Sequence, residues 1–284
     1  MKEKALRMRG IGAAGLAAWL AVPPSVGAVE LTQKTIEVFD HYVSLSEARM
    51  AAQDSSGAAF LWVERLPELR QGEALSELRH GGVVIERLEM LENGKPLAAP
   101  HGLIYHWIGT VFILGATLRQ TLAVIQDYDH HQHYYKPDVM RSKILMHDGN
   151  DFDVSVRFYK RKIITVVMET EHNVHYTPLD AKHEKSVSHS THIHEVENPG
   201  ESGEKLKPEG NDRGFLWRIY SYWRFEEKDG GAYVECQSIS LTRDIPGLVA
   251  RFIRGYVERV PRESLRFTLD STRAEVLHQP PQPN

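Results

Sequence analysis

A chain of 284 residues, 42% hydrophobic and 25% charged, has ordinary globular composition and is long enough for one large core or two small ones. Its formal net charge of -4 supplies no basic field for nucleic acid, and its single cysteine, Cys236, excludes an intramolecular disulfide. No Walker loop, HExxH helix or GxSxG elbow occurs, so P-loop, zincin and serine-hydrolase chemistry have no motif to stand on.

Residues 1–28 follow a different logic from the rest. Lys2, Lys4, Arg7 and Arg9 are followed by an uncharged run from Gly10 to Val22, by Pro23-Pro24, and by the small residues Val26-Gly27-Ala28. This is the order of a cleavable signal peptide, with Val29 as the first mature residue and a periplasmic or secreted destination. The apolar run falls short of the roughly 20 residues a membrane span needs, so an uncleaved anchor is the weaker reading.

The spacing of Leu31, Val38, Tyr42 and Leu45 predicts a helix over 31–52, and Pro67 to His80 reads as a polar helix stopped by Gly81-Gly82. Val83 to Leu88 and Leu103 to Leu114 read as strands, with an Asn93-Gly94 turn between them. Thr117 is placed to cap a helix carrying Leu118, Leu122 and Ile125. Alternation then dominates: Phe152 to Phe158, a basic tip at Lys160-Arg161-Lys162, Ile164 to Tyr176, and Lys185 to Glu197. Residues 198–213, rich in Gly, Pro and charge, read as an exposed loop that folding does not need. Phe215 to Glu226 and Ala232 to Arg243 form a hairpin through Lys228-Asp229-Gly230-Gly231. Pro246 to Val276 is helical, kinked or divided at Pro261, and the tail 278–284 reads as disordered.

This order predicts an α+β protein, with one curved antiparallel sheet wrapped around a long C-terminal helix behind an N-terminal helical preface. Where sheet and helix do not close tightly, an apolar cavity remains between them.

The pieces Tyr105-His106-Trp107-Ile108-Gly109-Thr110-Val111-Phe112, Ser221-Tyr222-Trp223-Arg224-Phe225 and Ser240-Leu241-Thr242-Arg243-Asp244-Ile245-Pro246 resemble the START-like (SRPBCC) superfamily, in particular bacterial exported members. Polyketide cyclases, coenzyme-Q-binding proteins and birch-pollen-allergen-like proteins belong to it. The resemblance runs from His101 to about Val276 and implies a helix-grip fold, dividing the chain into a signal peptide (1–28), a preface with the first strand (29–100), a helix-grip domain (101–277) and a tail (278–284). It transfers no active-site residue, because the superfamily has no universal catalytic motif.

Histidines are numerous, 15 in all, and cluster at His130, His131, His133 and along His172 to His194. His192 and His194 alternate on one strand and His172 falls on another, an arrangement that could hold Zn or Cu. A solvent-facing strand that uses His at polar positions gives the same pattern; no metal and no cofactor is expected. Trp217, Ile219, Ser221, Trp223 and Phe225 alternate on what reads as the face toward the C-terminal helix, with Glu235 and Gln237 opposite them. The candidate ligand-binding residues are therefore Trp217, Ser221, Trp223, Glu235, Gln237, Phe252 and Tyr256. Cys236 reads as a small core residue. No catalytic residue is identified.

The expected function is that of an exported carrier for an apolar small molecule (lipid, polyketide or quinone-like), exchanging lipid with a membrane in one version of that role. Two other readings stand beside it: a cyclase- or hydrolase-like enzyme using the same pocket, and a partner-binding protein using the N-terminal helices.

Overall fold

The computed structural model describes residues 31–161, 165–244 and 259–279. The signal-peptide segment, Lys162 of the basic tip with residues 163–164, residues 245–258 with Phe252 and Tyr256, and residues 280–284 of the tail lie outside the described residues.

Helix α1 (Gln33–Ser55) starts where the Thr32 hydroxyl accepts the Thr35 N–H, and it buries Phe39, Tyr42, Val43 and Ser46 along one stripe. A 3-10 turn at Trp62–Arg65 leads into α2 (Glu68–Arg79). Strand β1 (Val83–Arg87) follows, then the small hairpin β2 (Leu91–Glu92) and β3 (Lys95–Pro96) around Asn93-Gly94, and β4 (Gly102–Leu114). Helix α3 (Leu118–Ile125) opens on a complete capping box between Thr117 and Gln120. After the short α4 (His131–Tyr134) come β5 (Val139–Asp148), β6 (Asp151–Arg161), β7 (Thr165–Pro178) and β8 (His183–Glu197). The two-residue β9 (Lys205–Leu206), β10 (Arg218–Lys228), β11 (Gly231–Arg243) and α5 (Val260–His278) complete the order. Pro261 stands in the first turn of α5, where its missing N–H costs nothing, so it begins this helix instead of kinking it.

The large sheet runs β1-β4-β11-β10-β8-β7-β6-β5, antiparallel throughout. The β10–β11 hairpin closes through Asp229 (φ 56°) and Gly230 (φ 73°), the left-handed pair that a two-residue turn of matching twist requires. One face of the sheet packs Val111, Ile113, Phe225, Val234 and Cys236 against Leu265, Leu269 and Val276 of α5. The contact is tightest at Gly109, where an added Cβ would stand 2.8 Å from Leu269. This is the helix-grip layout.

The other face is covered by the preface. Phe39, Tyr42 and Val43 of α1 pack with Trp217, Tyr222, Ile239 and Leu241, and Leu61, Val63, Ala74 and Leu78 pack with Val84, Phe112 and Tyr233. The apolar stripes of the N-terminal helices are thus spent within the chain.

Residues 198–213 differ from the expectation of a dispensable loop. Lys207 and Arg213 both bond the fully buried Glu195 carboxylate, at 2.8 and 2.5 Å, and Asp212 accepts the Gly214 N–H and the Trp217 Nε1–H. Charged composition here supplies counterions to a buried acid, a role that composition alone does not reveal. Replacing 198–213 by a short Gly-Ser turn should cost about 3–5 kcal/mol in urea unfolding, because it strands the Glu195 charge. The same replacement confined to 199–203 should leave the midpoint nearly unchanged; equal effects would show that the ion cluster is not what matters.

Candidate functional site

Successive residues of a strand face opposite sides of the sheet, so register decides which side chains meet. On the α5 face, Trp107, Ser238, Ser221 and Ser188 form one row across β4, β11, β10 and β8. The neighbouring row is Gly109, Cys236, Trp223 and Ser186, continued by Tyr176 of β7. Trp107, Ser238, Ser221, Ser188 and Trp223 are all only half-buried although they stand in mid-sheet. Short serine side chains thus stand between two indoles in this part of the sheet, with Trp107 and Trp223 packed against the α5 core.

The polar groups in this region are sparse and partly unsatisfied. Trp107 Nε1 and Ser186 Oγ are buried and have no hydrogen-bond partner among the described residues. Burial lowers the His172 pKa to about 4, so the ring is neutral near pH 7. His172 and Ser190 are cross-strand partners, yet they do not form a base–nucleophile pair. The His172 ring donates to Thr170 Oγ at 2.9 Å, and Ser190 Oγ accepts the Ile219 N–H at 3.1 Å. Burial raises the Cys236 thiol well above its ordinary range, which leaves it a neutral core residue.

The candidate ligand-binding residues divide between the two faces. Trp223 and Ser221 stand in the half-buried rows of the α5 face. Trp217 does not: the β10 ladder begins at Arg218, so strand alternation does not govern Trp217, and its indole lies with Phe39 and Tyr42 while Nε1 donates to Asp212. Glu235 and Gln237 also belong to the preface face, since the even residues of β11 turn toward α5. Phe252 and Tyr256 lie outside the described residues. Trp107, Ser186, Ser188 and Ser238 carry no local signal of a site; cross-strand register through β10 is what places them in rows with Ser221 and Trp223.

Under the preface the polar residues form a second, smaller site. Glu235 Oε2 accepts the Trp62 N–H at 2.6 Å, and Gln237 Nε2 donates to Ser46 Oγ at 3.0 Å. Tyr42 O–H donates to His106 Nδ1 at 2.9 Å, which leaves Nε2 protonated and without a partner among the described residues. His106, Gln237, Ser46, Arg49 and Arg65 line a cleft of about 20 Å³, room for a single water. Burial lowers His106 to about 3 and raises Glu235 to about 7, the latter opposed by Arg65, the Trp62 N–H and Arg224.

The histidine clusters do not converge as the spacing suggested. His131 is folded inward against the Ile125 carbonyl, whereas His130 is exposed and paired with Asp127. His172 is buried, on the face away from His192 and His194.

No family model matches the chain, and no curated protein matches it at a significant level. The Zhui aromatase/cyclase from Streptomyces sp. R1128 is a similar solved structure, at 12% identity over 62% of this chain and 95% of that one, with a TM-score of 0.42. The STAR-related lipid transfer protein from Xanthomonas axonopodis is 16% identical over 67% of this chain and 98% of its own, with a TM-score of 0.40. Human STARD10 is 8% identical over 75% and 83% of the two chains, also with a TM-score of 0.40. Cyclisation and lipid transfer are named for those proteins, not for this one.

Because Glu235 has a raised pKa, it favours folding fully below its ordinary value of 4.5, and that contribution is lost as pH rises through about 7. Glu235→Gln keeps the acceptor for Trp62 and removes the titration. The stability of the wild type relative to the variant should therefore fall by roughly 1–3 kcal/mol between pH 5 and 8 in urea titrations. The depressed histidines are common to both proteins and cancel in the difference. Parallel stability curves would refute the assignment.

Proposed function

We propose that this protein binds an apolar small molecule (lipid, polyketide or quinone-like) in a hollow over the serine rows of the α5 face and carries it without chemical change. The observation that carries this reading is the half-buried row Trp107, Ser238, Ser221 and Ser188 in mid-sheet, beside the unpartnered Trp107 Nε1 and Ser186 Oγ. Apolar walls with a few fixed polar groups suit a ligand that is mostly hydrocarbon and bears one or two acceptors. A buried donor without a partner costs about 1–3 kcal/mol, and an oxygen of the ligand would remove that cost. Among the described residues no helix is long and apolar enough to cross a membrane. The composition of residues 1–28 supports export as part of the proposal, which N-terminal sequencing of the mature protein tests.

Ser221→Phe fills the hollow from its floor. It should weaken uptake of the apolar dye N-phenyl-1-naphthylamine about tenfold or more while leaving the melting temperature near that of the wild type. Unchanged uptake by a folded variant would remove the hollow as the binding site. Trp107→Phe keeps an aromatic wall but deletes Nε1–H. It should weaken a quinone by about tenfold and leave a plain hydrocarbon probe unaffected. Native mass spectrometry of protein purified from its own host identifies the molecule carried.

A further inference from the structure

We propose that His192, His194 and Glu209 form a surface site for a divalent transition metal of the zinc–copper class. The inference is independent of the apolar hollow, because these residues lie on the opposite face of the sheet and on the segment that follows β9.

The strand supplies two ligands in fixed relation. At Thr191 strand β8 carries one extra residue against β7, since Glu171 pairs with His192 while His172 pairs with Ser190. Before this bulge the even residues of β8 face α5; after it the odd ones do, and Ile193 and Glu195 are buried. The phase change sends His192 and His194 outward together. Their rings are nearly parallel, 6° apart, with centroids separated by 6.4 Å.

The third ligand comes from a distant segment held over the pair. Lys207 donates from its backbone N–H to the Glu195 carbonyl at 2.9 Å and from Nζ to the Glu195 carboxylate at 2.8 Å. Two residues on, Glu209 Oε1 stands 2.8 Å from His192 Nδ1 and 3.5 Å from His194 Nε2. One carboxylate oxygen thus faces two imidazole nitrogens. Each residue brings one donor atom within 4.8 Å of the others, the one such trio among the described residues.

The hydrogen bond behind His194 decides what the trio is suited to hold. His194 Nδ1–H donates to the Lys207 carbonyl at 3.0 Å, so the neutral ring presents its Nε2 lone pair toward Glu209. A backbone carbonyl on the far ring nitrogen is the arrangement that orients a metal-ligating histidine. A metal ion placed between these atoms would accept electron pairs from both imidazoles and the carboxylate, replacing the hydrogen bond of His192 Nδ1 to Glu209. Two imidazoles and one carboxylate favour zinc or copper over calcium or magnesium, which prefer all-oxygen sites. Glu171, the cross-strand partner of His192, is exposed at the same patch, and water can complete the coordination.

Calorimetric titration of metal-free protein with Zn²⁺ should show one saturable equivalent. His192→Ala, His194→Ala and Glu209→Gln should each weaken it by roughly tenfold or more. A double variant at the other exposed pair, His130→Ala with His133→Ala, should leave it unchanged. Zn²⁺ should also slow limited proteolysis within 198–213 in the wild type but not in Glu209→Gln, whose exposed position lets it fold normally. No saturable binding by the wild type, or binding that survives the three ligand variants, or loss in the 130/133 control, would overturn the proposal.

Discussion

Strand β11 is hydrogen-bonded along its length to β4 on one side and along most of it to β10 on the other, and both of its faces are buried. Everything else in the architecture answers to that. Ala232, Val234 and Cys236 meet α5, while Tyr233, Ile239 and Leu241 require a second cover, which the N-terminal helices supply. Glu235 and Gln237 sit in the same alternating series, so two polar side chains are carried into the interior and must be matched there. Trp62 N–H and Ser46 Oγ meet them there. The preface is therefore an integral layer. It closes the sheet and neutralises what the central strand buries.

The two faces divide the chemistry. On the preface side the Glu235 contacts and the relay from Met90 N–H through Tyr42 to His106 tie polar atoms together within the chain, while His106 Nε2, Glu226 Oε2 and Asp212 Oδ2 have no partner among the described residues. On the α5 side matching is left incomplete at Trp107 and Ser186, and the side chains at the centre of the sheet are small. The buried histidines fit the same division. His106, His131 and His172 are held neutral by burial, so they serve as fixed dipoles and not as proton donors near neutrality.

What could be read in the sequence was local. The Thr117 cap, the Asp229-Gly230 turn and the apolar stripe of α1 each depend on residues a few positions apart, and all three form as their spacing requires. The sorting of side chains onto faces was less legible, because it depends on where a ladder begins and where it slips. Trp217 shares its parity with Trp223 but precedes the first paired residue of β10. His172 and His192 look like neighbours until the bulge at Thr191 separates their faces. Glu209 carries no periodic signal at all; only Glu195, buried and holding Lys207, brings it beside the two histidines. Likewise the serines of the hollow acquire meaning only when four strands are laid side by side.

The bulge at Thr191 also bears on how this strand can change over evolutionary time. It is the joint at which β8 exchanges inside for outside, with serines turned to the α5 face before it and histidines turned to solvent after it. Substitution at any of these positions alters one side chain, but loss of the single extra residue would rephase the whole remainder of the strand. Ile193 and Glu195 would rotate into water, His192 and His194 into the core, and Lys207 and Arg213 would lose the acid they surround. A change in the length of β8 would therefore disturb far more of the fold than a change in the outer part of the 198–213 connection.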